Sequence, residues 1–117
     1  MNFQNISQAE IEKAKENLVI LNRKFSEKGI KMIFLLAADK YDVYRPFMTD
    51  DTLPVDTTTE ELSKIPNVCV MDTKPLLQEM VRNGEQDVYM LHDTHWSYKG
   101  SEAVARELFR ILKKKDI

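Results

Sequence analysis

A short apolar run at residues 32–38 constrains the fold of this chain more than any other feature. Gly29 precedes the run, and a polar segment that begins at Asp39 follows it. An apolar run of this length between turn residues is typical of a strand that is buried on both faces. Such strands occur in parallel sheets that helices cover on each side, so the run predicts an α/β fold.

The segment before this strand has the pattern of an amphipathic helix. Its apolar positions recur every three or four residues, as on one helix face. These positions are Ile11, Ala14, Leu18, Leu21 and Phe25. Ser7 and Glu10 fit the capping box that begins many helices, and Gly29 is a natural stop just past the end.

The rest of the chain continues the alternation of helices and strands, which implies parallel strands joined by right-handed crossovers. We predict an irregular stretch at 39–54, a short helix between 57 and Pro66, a strand at 68–71, a helix from 72–75 to Gly84, a weak third strand at 88–90 and a helix at 98–115. The expected architecture is a three-layer α-β-α fold with a small parallel sheet of about three strands. We predict a core of Leu18, Leu21, Ile33, Leu35, Val68, Val70, Leu108 and Ile111.

Composition narrows the class of protein further. With 117 residues and no internal linker, residues 1–117 form a single domain or part of one. The net charge of −2 provides no basic field for nucleic acid, and no apolar run is long enough to span a membrane. Cys69 is the one cysteine, so no internal disulfide forms. The first five residues lack a signal-peptide pattern, so either the protein is cytosolic or a targeting segment lies outside this chain.

Two loops that follow predicted strands are rich in reactive side chains, at the sheet edge where α/β proteins bind ligands. One spans 39–45, and the other spans 92–100 and contains both histidines of the chain, His92 and His95. Asp93 is two residues from His95, so a turn is needed to bring the carboxylate to the imidazole. A carboxylate fixes the tautomer and orientation of a histidine that acts as a base. Solvated histidines without a role explain the same pattern equally well.

A metal site is the weaker interpretation of this cluster. Two imidazoles and one carboxylate are metal-ligand types, but their spacing in His92, Asp93 and His95 differs from known zinc patterns. We therefore predict no metal and no cofactor.

The cluster and its surroundings resemble a known family. The block Asp93-Thr94-His95-Trp96, followed by Gly100 and an amphipathic helix, resembles the last motif block of SGNH-type hydrolases, in the D-x-H-W branch that contains alginate O-acetyltransferases. Upstream, the strand and the segment Asp39-Lys40-Tyr41 resemble that branch's P-D-K-Y loop, with Ala38 in place of its Pro. The resemblance extends over residues 10–112 and implies about half of an SGNH domain, which is flavodoxin-like in fold.

The resemblance also implies roles for individual residues. Asp93 would be the triad acid and His95 the general base. Trp96 would either pack behind the histidine or form part of a wall that faces sugar, and packing is the more common role of such an aromatic residue. Lys40 and Tyr41 would shape the rim of the pocket or contact the substrate, although Lys40 is equally explained as solvated and Tyr41 as packed.

An SGNH enzyme also needs a nucleophilic serine in a G-D-S turn, with a Gly and an Asn for the oxyanion, and no serine of this chain has that setting. The resemblance therefore implies the C-terminal, Asp- and His-bearing part of an esterase or O-acetyltransferase for acylated carbohydrate, with the serine encoded elsewhere. The serine would be encoded upstream, although in some acetyltransferase relatives it instead follows the D-x-H-W block. We expect a missing N-terminal half or a second copy as partner, and the family points to the cell envelope or periplasm. The alternative is a non-catalytic α/β interaction module or an inactive, truncated relative.

Overall fold

The structure, a computed structural model, describes residues 7–49 and 54–114. Its helices are α1 (Gln8–Glu27), α2 (Lys40–Tyr44), α3 (Thr58–Leu62), α4 (Lys74–Arg82) and α5 (Tyr98–Lys114), with a 3₁₀ turn at Arg45–Phe47. The strands are β1 (Ile33–Leu36) and β2 (Cys69–Asp72), and they pair in parallel. The predicted α/β class with a small parallel sheet is confirmed.

The chain divides into two compact units, Met1–Leu36 with Asp56–Asp72, and Ala37–Val55 with Thr73–Ile117. The first unit contains α1, α3 and the two strands, in which Ile33 is in register with Cys69. The Ser7 side chain accepts the Glu10 N–H, and the Glu10 carboxylate reaches back to Ser7, so the predicted capping box is confirmed. The buried side chains of this unit are Ile11, Ile65 and Met71.

The second unit contains α2, α4 and α5, with α4 in contact with both of the other helices. Pro75 lies in the first turn of α4, as predicted, where its missing N–H leaves no helical bond unmade. The largest side chains in its core are Tyr41, Val43, Leu77, Val88, Tyr89 and Val104. Helix α5 begins at Tyr98 as predicted, and Lys115 lies outside the described residues.

Three expectations are corrected by the structure. The stretch predicted as irregular contains α2, because Asp39 caps a helical turn that is too short to show a periodic pattern; residues 50–53 lie outside the described residues. Among the described residues, 88–90 do not join the parallel sheet, and Tyr89 instead forms an isolated antiparallel bridge with Trp96.

The third correction concerns the core. None of the eight predicted core residues is fully buried: six are half-buried, and Leu21 and Leu35 are exposed. The described sheet has two strands, so each strand is an edge strand and its apolar faces are covered only in part. The buried positions lie mainly in the segments that follow the strands.

Candidate functional site

The D-x-H-W block lies on a tight hairpin within the second unit. Met90 N–H donates to His95 O at 2.9 Å, and Ser97 N–H donates to Val88 O at 3.0 Å. Asp93 N–H also donates to Met90 O, at 3.4 Å, which closes a turn at the tip. These bonds define an acid–histidine loop, residues 90–95, that is short and internally bonded.

The turn that the sequence required between Asp93 and His95 is an Asx turn. One oxygen of the Asp93 carboxylate accepts the His95 backbone N–H at 2.9 Å. The same oxygen is in hydrogen-bond contact with Nδ1 of the His95 ring. An aspartate side chain that accepts a bond from the backbone two residues on is a common device for folding a tight loop. It brings together two side chains that would diverge in an extended segment.

The electrostatics of the pair follow from these contacts. The His95 backbone N–H, followed by the His95 ring, lowers the pKa of the Asp93 carboxyl below its ordinary value. A carboxylate at Nδ1 favours the tautomer with its proton on that nitrogen, which leaves Nε2 as the acceptor. The His95 side chain is 83% exposed, so Nε2 is open to solvent and not enclosed in a cavity.

Buried hydrogen bonds support the base of the hairpin. The Tyr89 hydroxyl donates to Ala38 O at 2.6 Å. Burial is the main cause that raises the pKa of Tyr89. Ala38 N–H in turn donates to the buried Thr73 hydroxyl at 2.8 Å. Sequence reasoning missed Tyr89 and Thr73, although a tyrosine in a predicted strand is a sign that its hydroxyl needs a buried partner.

The two loops predicted to share a site are in contact. The Lys40 ammonium donates to the carbonyl oxygens of Met90 at 2.7 Å, Leu91 at 3.3 Å and Asp93 at 3.2 Å. Tyr41 is buried, and its hydroxyl donates to Pro54 O at 2.6 Å. Lys40 therefore lies against the acid–histidine loop, and the environment of Tyr41 is that of a packing residue. Contact of Lys40, Tyr41 or Trp96 with a substrate stays a prediction.

The serines nearest in sequence to His95 are bonded to backbone groups in the first turn of α5. The Ser97 hydroxyl donates to Val88 O at 2.9 Å and accepts the Gly100 N–H at 3.2 Å. The Ser101 hydroxyl donates to Ser97 O at 2.8 Å. A hydroxyl held in this way at the start of a helix is poorly placed to act as a nucleophile.

Gly100 is required by the close approach of α5 to the hairpin. A Cβ added at this position would lie far inside van der Waals contact with the backbone oxygen of Val88 and 3.5 Å from the Cβ of Trp96. Steric contact with Val88 therefore explains why the D-x-H-W-x-x-x-G pattern has a glycine at this position.

The described part of the chain has neither a metal-binding cluster nor a membrane-spanning helix. In residues 7–49 and 54–114, no three His, Cys, Asp or Glu side chains are grouped so that they could hold a metal ion. Within the same ranges, none of the helices has the length and hydropathy to cross a bilayer.

Comparison with known families agrees with the resemblance of the motif. Residues 2–117 match the family of the SGNH hydrolase-like domain of the acetyltransferase AlgX. Comparisons with curated proteins and with solved structures give no significant match. The family match spans almost the whole chain and includes both loops of the site, so a general acyltransferase- or esterase-like role is supported. The chain belongs to the SGNH hydrolase-like domain family of the acetyltransferase AlgX.

Proposed function

We propose that this chain supplies the acid and the base of a Ser-His-Asp triad that transfers or hydrolyses O-acyl groups of acylated carbohydrate. The observation that carries this proposal is the contact of the Asp93 carboxylate with both the backbone N–H and Nδ1 of His95. This arrangement orients the ring and stabilises the imidazolium that forms during catalysis. Membership in the AlgX family supports ester chemistry.

The proposed reaction has two steps that share His95 as the proton carrier. In the first step, a serine oxygen attacks the ester carbonyl carbon while Nε2 of His95 takes the serine proton. The ester C–O bond breaks, the released alcohol takes that proton from Nε2, and an acyl-serine forms. In the second step, a sugar hydroxyl or water attacks the acyl-serine and gives its proton to Nε2. The bond between the acyl carbon and the serine oxygen then breaks, and Nε2 returns the proton to that oxygen. Throughout, Asp93 balances the charge on the ring.

We place the nucleophilic serine outside this chain. The hydroxyls of Ser97 and Ser101 are bonded to backbone groups at the start of α5. Ser7 caps α1, and the Ser63 hydroxyl donates to Glu60 O at 2.8 Å. By the resemblance to SGNH domains, the proposed partner is a missing N-terminal half that carries the serine. Trp96 is the candidate for carbohydrate contact, because it directly follows His95 and is only half-buried.

A fluorophosphonate probe tests the proposal, since such probes label a serine only when a base activates it. The chain would be assayed alone and together with the serine-bearing segment encoded beside it, with the labelled site mapped by mass spectrometry and with hydrolysis of an acetylated oligosaccharide measured. We expect labelling and activity only in the combination. His95→Ala should reduce activity by roughly 10³-fold or more, and Asp93→Asn by roughly 10²–10⁴-fold.

His92→Ala is the matched control, because His92 is an exposed histidine of the same loop, three residues before His95. Its activity should stay within about twofold of wild type, since by this proposal His92 has no part in the triad. Label on a serine of this chain would show that the nucleophile is not external. An active combination that is indifferent to His95→Ala would refute the triad, and a combination without any activity would favour the non-catalytic interaction module.

A further inference from the structure

The Lys40 side chain forms an unusual set of contacts for a half-buried lysine. Its ammonium reaches three backbone carbonyls of the acid–histidine loop, those of Met90, Leu91 and Asp93. An ammonium has three N–H donors and no acceptor, so three carbonyl partners use its full capacity. Hydrogen bonds from a charged donor are also stronger than those between neutral groups.

The convergence of these carbonyls itself needs an explanation. Three oxygens with partial negative charge point toward one place, and they repel each other unless a cation lies between them. One of them belongs to Asp93, the residue whose carboxylate holds His95. Another, Met90 O, also accepts the Asp93 N–H that closes the tip of the loop. Lys40 therefore binds to the backbone on both sides of the turn that carries the acid.

The lysine is presented from a fixed element. Lys40 is the first residue of α2, and the Asp39 side chain caps this helix by accepting the Tyr41 N–H at 3.1 Å. Tyr41 and Val43 are buried in the core of the second unit. The position of the ammonium is thus tied to a buried helix, whereas Asp93 and His95 are exposed.

We propose that Lys40 is a positioning residue that holds the acid–histidine loop in the conformation in which Asp93 orients His95. The proposal rests on the triad function proposed above, but the loop conformation can be measured without it. Lys40 acts here through the backbone of Asp93 and does not touch substrate. The sequence-based expectation, in which Lys40 contacts the substrate, is the competing outcome of the test.

The test compares wild type with Lys40→Met, which keeps most of the apolar stem and removes the cation, and with Lys40→Arg. Lys99→Met is the matched control, because the Lys99 ammonium also donates to a backbone carbonyl, Gln86 O at 2.9 Å, and also belongs to the second unit. The readouts on the full chain are NMR hydrogen exchange at the Met90 and His95 amides and the Nδ1 proton signal of His95. Amides of α4 and α5, which belong to the same unit as the loop, report whether the fold persists.

We expect exchange at the two loop amides to become at least about tenfold faster in Lys40→Met, with loss of the Nδ1 signal and unchanged α4 and α5 amides. Lys40→Arg should restore part of the protection, and Lys99→Met should leave the loop unchanged. If Lys40→Met does not fold, Lys40→Gln, which keeps a donor without the charge, serves for the same comparison. Exchange and an Nδ1 signal equal to wild type would overturn the proposal.

Activity measured with the serine-bearing segment separates the two proposals. A positioning role predicts a fall in kcat of about tenfold or more with KM nearly unchanged. A change confined to KM would overturn the positioning role and assign Lys40 to the substrate. If the loop opens in Lys40→Met while His95→Ala retains full activity, the loop role stands and the triad function fails.

Discussion

The substitution Gly100→Ala tests the close approach between α5 and the acid–histidine hairpin. Intrinsic helix propensity alone would make this change stabilising by about 1 kcal/mol, because alanine is a better helix former than glycine. The structure predicts the opposite sign. The added methyl group would overlap the backbone oxygen of Val88, which cannot rotate away as a side chain would.

The size of the change in unfolding free energy depends on the backbone that must shift to make room for the methyl group. Overpacking of this kind costs about 1–3 kcal/mol. Val88 O also accepts two bonds, from Ser97 N–H at 3.0 Å and from the Ser97 hydroxyl at 2.9 Å, and a shift of the Val88 backbone weakens both. Weakening the two bonds adds about 1 kcal/mol, which offsets the gain in propensity. The net expectation is a loss of about 2 kcal/mol, or roughly 8 °C in Tm for a chain of this size.

Thermal unfolding followed by circular dichroism measures this change. Ser101→Ala is the control, because Ser101 is the next residue of α5 and is exposed; its effect should stay within about 0.5 kcal/mol. A Gly100→Ala protein that melts at or above the wild-type temperature would refute the reasoning, since it would mean that propensity outweighs the contact with Val88.

Two further predictions concern single hydrogen-bonding groups. Tyr89→Phe should destabilise the protein by about 1–3 kcal/mol, because it leaves the buried Ala38 carbonyl without the Tyr89 hydroxyl; thermal unfolding measures it, with the exposed Tyr98→Phe expected to change little. Asp93 has a pKa below its ordinary value in the folded protein, so its contribution to loop order is present above about pH 4 and is lost as the pH falls through the lowered pKa. The NMR shift of the His95 amide should report this transition, and Asp93→Asn, which keeps an acceptor oxygen without a titrating group, should lack it; a shift that titrates equally in both proteins would contradict the assignment.

The sequence predicts the elements of this fold better than their packing. Helix α1 begins and ends where Ser7 and Gly29 indicate, because caps act through the backbone of their own segment. The burial of Leu35 and Leu21 depends instead on which element covers the sheet or the helix, and a local pattern carries no information about that partner. The prediction of a strand at 88–90 is wrong for a related reason: this short apolar run favours a strand, but a local hairpin pairs Tyr89 with Trp96 instead.

In the candidate site, too, local features are predictable from the sequence and long-range contacts are not. The type and spacing of Asp93 and His95 predict an acid and a base that need a turn, and their contact follows from residues two apart. The contact between Lys40 and Met90 joins residues 50 positions apart, so only the folded chain reveals it. Helix α2 lies between these cases: Asp39 is a recognisable N-cap residue, but the five residues that follow are too few for a helical period to be seen.

The exposure of His95 determines what can hold it in place. An imidazole that is 83% exposed gains little from apolar burial, so its orientation depends on hydrogen bonds. A single exposed hydrogen bond contributes only about 0.5–1.5 kcal/mol, which is too little to fix a loop alone. Three sets of bonds act together here: the hairpin bonds at Met90, the Asx turn of Asp93 and the ammonium of Lys40. The first two sets lie within the loop and move with it. Of the three sets, only the bonds of Lys40 connect the tip of the loop to a buried helix. The geometry at His95 therefore depends on a residue that does not touch the ring.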